Sequence, residues 1–131
     1  MRYPIDIEGA LQAALDGVTI DGETVKAYAP PLPDFTLPCI YIERTGGGEQ
    51  DRVIDRHIVE IDTRAETWAK AQSTANRIIG YLRELEGAEI GGVPCYAVEL
   101  NSMPYNNYDP EHQDVPRVTF SVLISTRTIN D

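Results

Sequence analysis

The chain has 131 residues, of which 42% are hydrophobic and 24% are charged, and its net charge is −10 at pH 7. This length and composition predict one domain over 1–131 and exclude a disordered chain, because enough apolar surface is present to offset chain entropy. The excess of acidic residues argues against a nucleic-acid-binding surface, which needs clustered Lys and Arg to displace counterions.

The first predicted element is a short N-terminal helix. Apolar residues recur at helical spacing from Ile7 to Leu15, behind a possible Asp6 cap, and Gly17 supplies the end. A short strand is predicted over 24–29. The proline-rich stretch 30–34 cannot continue that strand, because proline lacks the amide donor that a ladder requires.

Two strands joined by a glycine-rich segment are predicted next, and they favour a β-hairpin. The first covers 38–45, and the second covers about 53–64, where Val59 and Ile61 alternate with acidic residues. Gly46, Gly47 and Gly48 with the polar residues after them are predicted to break the strand as a flexible loop.

A long amphipathic helix over about 67–86 is the strongest single pattern, because its apolar residues fall on one stripe. Two closing strands are predicted over 93–100 and 117–127, with a polar loop over 101–116 between them. The predicted fold class is therefore α+β. It comprises a mainly antiparallel sheet of about five strands with a β-hairpin, and one long helix plus the short N-terminal helix packed on one face.

A metal-dependent nuclease is the first catalytic hypothesis, because Asp55, Glu60 and Asp62 lie on or beside one predicted strand. The lysine that usually completes such a motif is missing, since Thr63 and Arg64 follow the last acid. Carboxylates on the solvated face of a strand are the simpler interpretation for an acidic protein.

Nucleophilic, phosphate-binding and metal chemistry are also weakly supported. His57 and Cys39 lack an identifiable third orienting group. The two cysteines are interpreted as buried hydrophobic residues, and paired zinc-ligand spacings are missing. The three glycines lack the Gly-Lys-Ser/Thr ending of a phosphate loop. His112 stands among acidic residues in a solvated loop. We therefore predict no catalytic residues, no metal and no cofactor.

The middle of the chain resembles the tail-terminator and tail-completion (head–tail joining) family of long-tailed bacteriophages. The resemblance rests on a proline at Pro38, an alternating strand and the glycines that follow it. An acidic loop, a second strand and a helix with spaced alanines at Ala71 and Ala75 come next. The resemblance covers about 38–85 and depends on the sequence pattern and the order of the elements.

The resemblance implies a structural virion protein of the tail or neck, assembled in the host cytoplasm. Such proteins form a homo-hexameric ring that caps the tail tube and joins the tail to the head connector proteins. DNA passes through the channel without sequence-specific binding. Six copies of a chain with net charge −10 carry about −60 before counterions. Glu49, Asp51 and Asp55 are the candidate channel-facing acids.

Two segments are the candidate contacts with neighbouring subunits or with the tail-tube protein. One is the hairpin segment with Gly46, Gly47 and Gly48, as a mobile arm. The other is the 101–116 loop, where Tyr105 and Tyr108 are aromatic residues of the kind that anchor interfaces.

Alternative functions come from two classes. A neck connector or stopper, or another minor tail protein, would share the structural role. A small soluble enzyme or binding module with an unrecognised site would instead be monomeric and turn over or bind a substrate. The sequence shows neither a signal peptide nor a run long enough to span a membrane, so we expect no membrane partner.

Overall fold

The structure, a computed structural model that describes residues 1–131, contains two helices and nine strands. Strands hold 47% of the residues and helices 19%. In chain order the elements are β1 (Arg2–Tyr3), α1 (Ile7–Leu15), β2 (Val18–Ile20), β3 (Glu23–Tyr28), β4 (Cys39–Glu49), β5 (Ile54–Arg64), α2 (Trp68–Arg83), β6 (Glu89–Ile90), β7 (Val93–Asn106), β8 (Arg117–Arg127) and β9 (Ile129–Asn130).

Seven of the strands form one curled, mixed sheet in the order β2-β3-β4-β5-β8-β7-β6. All neighbouring pairs are antiparallel except β3 and β4, which run parallel with Lys26 opposite Cys39. The remaining strands, β1 and β9, pair with each other near the two ends of the chain.

The predicted fold class is wrong, because the protein is mostly β and its sheet has seven strands of mixed direction instead of about five mainly antiparallel ones. Strands β2 and β6 contain only three and two residues, too few to show a readable alternation. The parallel pairing of β3 with β4 is made across the proline-rich connection 29–38. Neither feature has a local sequence signal.

Both helices begin where the sequence predicts. The Asp6 carboxylate accepts the N–H of Gly9 at 3.1 Å, and the Thr67 hydroxyl accepts the N–H of Lys70 at 3.1 Å. Helix α2 ends at Arg83, three residues before the predicted end. In length and apolar character, both helices fall short of what crossing a lipid bilayer requires.

The core lies between one face of the sheet and the two helices. Ile42, Ile61 and Phe120 stand side by side in register across β4, β5 and β8, and each is fully buried. Helix α1 packs on β3 and β4, and α2 packs on β5, β7 and β8. The neighbouring row, Glu43 and Glu60, points to the opposite face, which neither helix covers.

Replacing Phe120 with alanine should lower the free energy of unfolding by about 3–5 kcal/mol, because it opens a cavity in the fully buried row. The matched control is Leu123→Ala on the same strand, whose side chain lies on the opposite face and is only partly buried. Urea denaturation measures both variants. An equal loss of unfolding free energy in the two variants would contradict a core that is confined to the helix-covered face.

Candidate functional site

The three hairpin glycines lie inside β4 and not in a loop. Gly46, Gly47 and Gly48 are paired with Ile58, His57 and Arg56 of β5, after a bulge at residues 44–46. The predicted flexible loop at this place is therefore wrong, and only 50–53 lie outside the two strands. Glycine is needed at 47, where φ is +135° and a Cβ atom would come 2.1 Å from the carbonyl oxygen of Arg56.

The three candidate channel-facing acids occupy different environments at the end of this hairpin. Glu49 and Asp51 are exposed, and the Asp51 carboxylate accepts the N–H groups of Val53 and Ile54 at 2.8 and 3.0 Å, which caps the turn. Asp55 stands opposite Glu49 in the ladder but is only 6% exposed. A channel is formed by several copies, so the channel-facing assignment stays a prediction.

The buried carboxylate of Asp55 belongs to a polar patch at one end of the core. Its Oδ2 atom has no hydrogen-bond partner. His57, two residues further on the same face, lies with Nε2 3.1 Å from Thr126 Oγ1. Burial lowers the pKa of His57, Asp55 raises it, Arg44 lowers it further, and the net change is downward.

A nucleophile–base pair between Cys39 and His57 is excluded by the ladder. Cys39 stands opposite Arg64, seven residues along β5 from His57, which is about 23 Å at roughly 3.3 Å per residue. The Cys39 side chain is fully buried, and burial raises its pKa to about 12. The thiol is therefore protonated at neutral pH and out of reach of His57.

Glu60 and Asp62 share the uncovered face of the sheet, as the alternation predicts. Asp62 is held by structural partners: the Thr119 hydroxyl donates to it at 2.7 Å, and Arg117 lies at 3.6 Å. Burial, and then the neighbouring carboxylates of Asp62 and Glu43, raise the pKa of Glu60. Nowhere in the chain do three His, Cys, Asp or Glu side chains converge in a way that could hold a metal ion.

The predicted loop 101–116 is shorter than expected, because β7 continues to Asn106. The remaining segment, 107–116, is fastened to the end of β5. Arg64 donates to the Asp109 carboxylate at 2.9 Å, and His112 Nδ1 lies 3.0 Å from the same oxygen. Arg117 lies 3.8 Å from this carboxylate. Both Arg64 and Asp109 are buried, so the loop is held by a desolvated ion pair.

The two predicted contact tyrosines are exposed. Tyr105, on β7, is 49% exposed, and Tyr108, in the fastened loop, is 55% exposed. The structure adds two residues that sequence reasoning missed: Met103, which is 70% exposed, and Tyr96. The predicted strand ended at residue 100. A strand extended past that point would have included Met103 and Tyr105, whose spacing of two residues predicts a shared face.

Asp109→Ala should cost roughly 3–5 kcal/mol of stability, because it leaves the buried Arg64 guanidinium without its partner. The segment 107–116 should then become sensitive to limited proteolysis. Asp114→Ala, in the same segment but exposed and without a side-chain bond, is the control and should leave both properties unchanged. An equally protected loop in both variants would contradict the anchoring role.

The ionisation of Asp109 gives a second test. Burial alone would raise its pKa, but hydrogen bonds from Arg64, His112 and the N–H of Glu111 outweigh burial and hold the pKa well below the ordinary 3.8. A lowered pKa stabilises the fold above pH 3.8, and this contribution is lost as the pH falls toward the lowered value. Carboxyl-carbon NMR should show Asp109 still ionised when the pH passes 3.8. A midpoint at or above 3.8 would show that the ion pair does not form.

Comparison with known proteins reveals a shared fold without recognisable sequence kinship. No protein-family model matches the chain, and no curated protein is similar to it in sequence. Among solved structures, the chain is similar to a chain from the virion of a native gene transfer agent (GTA) particle, with a TM-score of 0.65 and 14% sequence identity. The match covers 93% of this chain and 98% of that chain, so the fold is shared over nearly the whole of both.

Proposed function

We propose that this protein is a structural component of a phage-like virion and that it acts as the tail terminator. In this role a ring of copies closes the end of the tail tube and joins the tail to the head connector proteins. The observation that carries the proposal is the fold shared with a chain of the GTA virion over 93% of this chain. Because the likeness extends over the whole domain, it concerns the complete architecture and not a single motif.

The surface of the chain supports a role in assembly. Three of its exposed large apolar and aromatic side chains, Tyr96, Met103 and Tyr105, belong to one strand, β7. Aromatic residues and methionine are enriched at protein–protein interfaces. The surface depression beside the hairpin glycines is lined by polar residues, glycine and proline, unlike the mostly apolar pockets that bind small molecules.

The charge of the chain suits a passage for DNA. Six copies would carry about −60, and carboxylates lining the channel would repel DNA phosphates and keep the passage from binding DNA. Glu49 and Asp51 are exposed acids at the end of the hairpin. In the proposed ring this end of the hairpin faces the channel.

Electron microscopy of particles made without this protein tests the proposed function. A missing terminator should give tails of uncontrolled length, and supplying the wild-type chain should restore a single length. Tails of normal length that fail to join heads would contradict a terminator and indicate a neck connector. Normal particles would contradict both.

Self-association of the purified chain should strengthen as salt increases. Copies with a net charge of −10 repel each other, and the screening length falls from about 30 Å at 0.01 M to about 8 Å at 0.15 M ionic strength. Sedimentation velocity across this range should show a larger associated fraction at the higher salt. Weaker association at higher salt would show that intersubunit ion pairs dominate over the net repulsion.

A further inference from the structure

Strands β1 and β9 form a two-stranded ribbon that is separate from the seven-stranded sheet. We call residues 1–4 and 129–131 the β1–β9 ribbon. Its two strands pair over only two residues each. The Tyr3 hydroxyl donates to the Asp131 carboxylate at 3.0 Å, and Asp131 exchanges backbone hydrogen bonds with Met1. The hydrogen bonds of the ribbon are therefore almost all internal to it.

Few contacts attach the ribbon to the rest of the protein. One hydrogen bond leaves it, from the Arg2 guanidinium to the carbonyl oxygen of Arg52 at 3.1 Å. Of its side chains, only Ile129 packs on the hydrophobic core, and it is half-buried. The flanking residues Ile5 and Thr128 are both buried, so the body of the fold begins directly beside the ribbon on each side.

The ribbon lies beside two buried polar groups that have no hydrogen-bond partner. Arg2, Tyr3 and Pro4 line one surface depression together with Asp55 and Thr128. Asp55 is 6% exposed and Thr128 is 8% exposed, and neither Asp55 Oδ2 nor Thr128 Oγ1 forms a hydrogen bond. Burying such groups unpaired costs free energy, because each of them loses its hydrogen bonds to water. The closed position of the ribbon therefore carries an unfavourable contribution.

Detaching the ribbon would remove this contribution at a small cost in apolar exposure. The Asp55 carboxylate and the Thr128 hydroxyl would both become hydrated. The one apolar side chain drawn away from the core would be Ile129, which is already half-exposed. The fully buried row of Ile42, Ile61 and Phe120 would stay beneath the helices, so the hydrophobic core would keep its burial.

We propose that the β1–β9 ribbon detaches in the folded protein while the seven-stranded sheet stays intact, and that hydration of Asp55 and Thr128 favours the detached state. The inference goes beyond the proposed function and does not rest on it. Detachment frees the backbone of 1–4 and 129–131 for new pairing. It also presents a carboxylate and a hydroxyl with unused hydrogen-bonding capacity. The ribbon is thus a cover that opens without unfolding the core.

Thr128→Val tests the role of the unpartnered hydroxyl. The replacement keeps the shape of the side chain and removes the group that is unsatisfied only in the closed state. The closed state should gain stability, and exchange of the Asp131 amide, which donates to the Met1 carbonyl, should slow by about three- to tenfold. Hydrogen exchange followed by NMR measures this rate, and the melting temperature should stay unchanged or rise.

The matched control is Thr126→Val, the same replacement two residues earlier in the chain. The Thr126 hydroxyl does have a partner, since its Oγ1 lies 3.1 Å from His57 Nε2, and both side chains are buried. Removing this hydroxyl should lower the melting temperature and should not slow exchange of the Asp131 amide. Opposite effects of one chemical change at the two positions would separate the proposed cause from a general effect of valine.

Thiol labelling of Thr128→Cys tests whether the core stays closed when the ribbon detaches. The native Cys39 and Cys95 are buried and serve as standards within the same molecule. We expect N-ethylmaleimide to label position 128 at least about a hundredfold faster than either native cysteine, because local openings need less free energy than global unfolding. Low urea concentrations should accelerate labelling of the native cysteines much more than labelling at 128.

Two results would overturn the inference. Labelling at position 128 with the rate and urea dependence of Cys39 would show that the ribbon detaches only when the whole domain unfolds. Exchange of the Asp131 amide that is unchanged or faster in Thr128→Val would show that hydration of the buried hydroxyl does not favour detachment.

Discussion

The burial of one face of β4, β5 and β8 beneath the two helices is the constraint on which the other features depend. Ile42, Ile61 and Phe120 form a continuous buried row across the three strands. A slip of one residue in either pairing would turn a whole strand's apolar set toward solvent, so the register is strongly specified. The same register places the polar row on the uncovered face and brings the glycines opposite Arg56, His57 and Ile58.

The end of the sheet near Arg64 is organised by a second, polar constraint. The Arg64 guanidinium pairs with Asp109 of the 107–116 segment and lies 5.1 Å from the ring centre of Phe35, which belongs to the proline-rich connection. One buried side chain thus fastens two irregular segments to a regular strand. Tyr108 is consequently presented on an anchored loop, and a preorganised residue loses less conformational entropy when it binds a partner.

These two constraints also determine which parts of the sheet stay uncovered within the chain. Both helices cover one face of the sheet and leave the other face uncovered, and β4 has no strand partner on its outer side from Ile42 onward. The Glu8 carboxylate accepts the N–H of Arg44 on β4, and the Glu86 carboxylate accepts the N–H of Val98 on β7. Side chains that occupy edge amides in this way oppose unlimited edge-to-edge growth.

Local patterns in the sequence by themselves determined the starts of both helices, the bounds of β8 and the presence of the hairpin, because capping residues and alternation act within a few neighbouring residues. The tertiary structure alone decided the mixed seven-stranded sheet and the fold class. It also carried β4 through the glycines at 46–48, where hydrogen bonds to β5 override their weak strand propensity. Likewise, Arg64 and Asp109 are 45 residues apart, and only folding brings the two charges together. Contacts between distant parts of the chain leave no local pattern, and for that reason these features could not be read from the sequence.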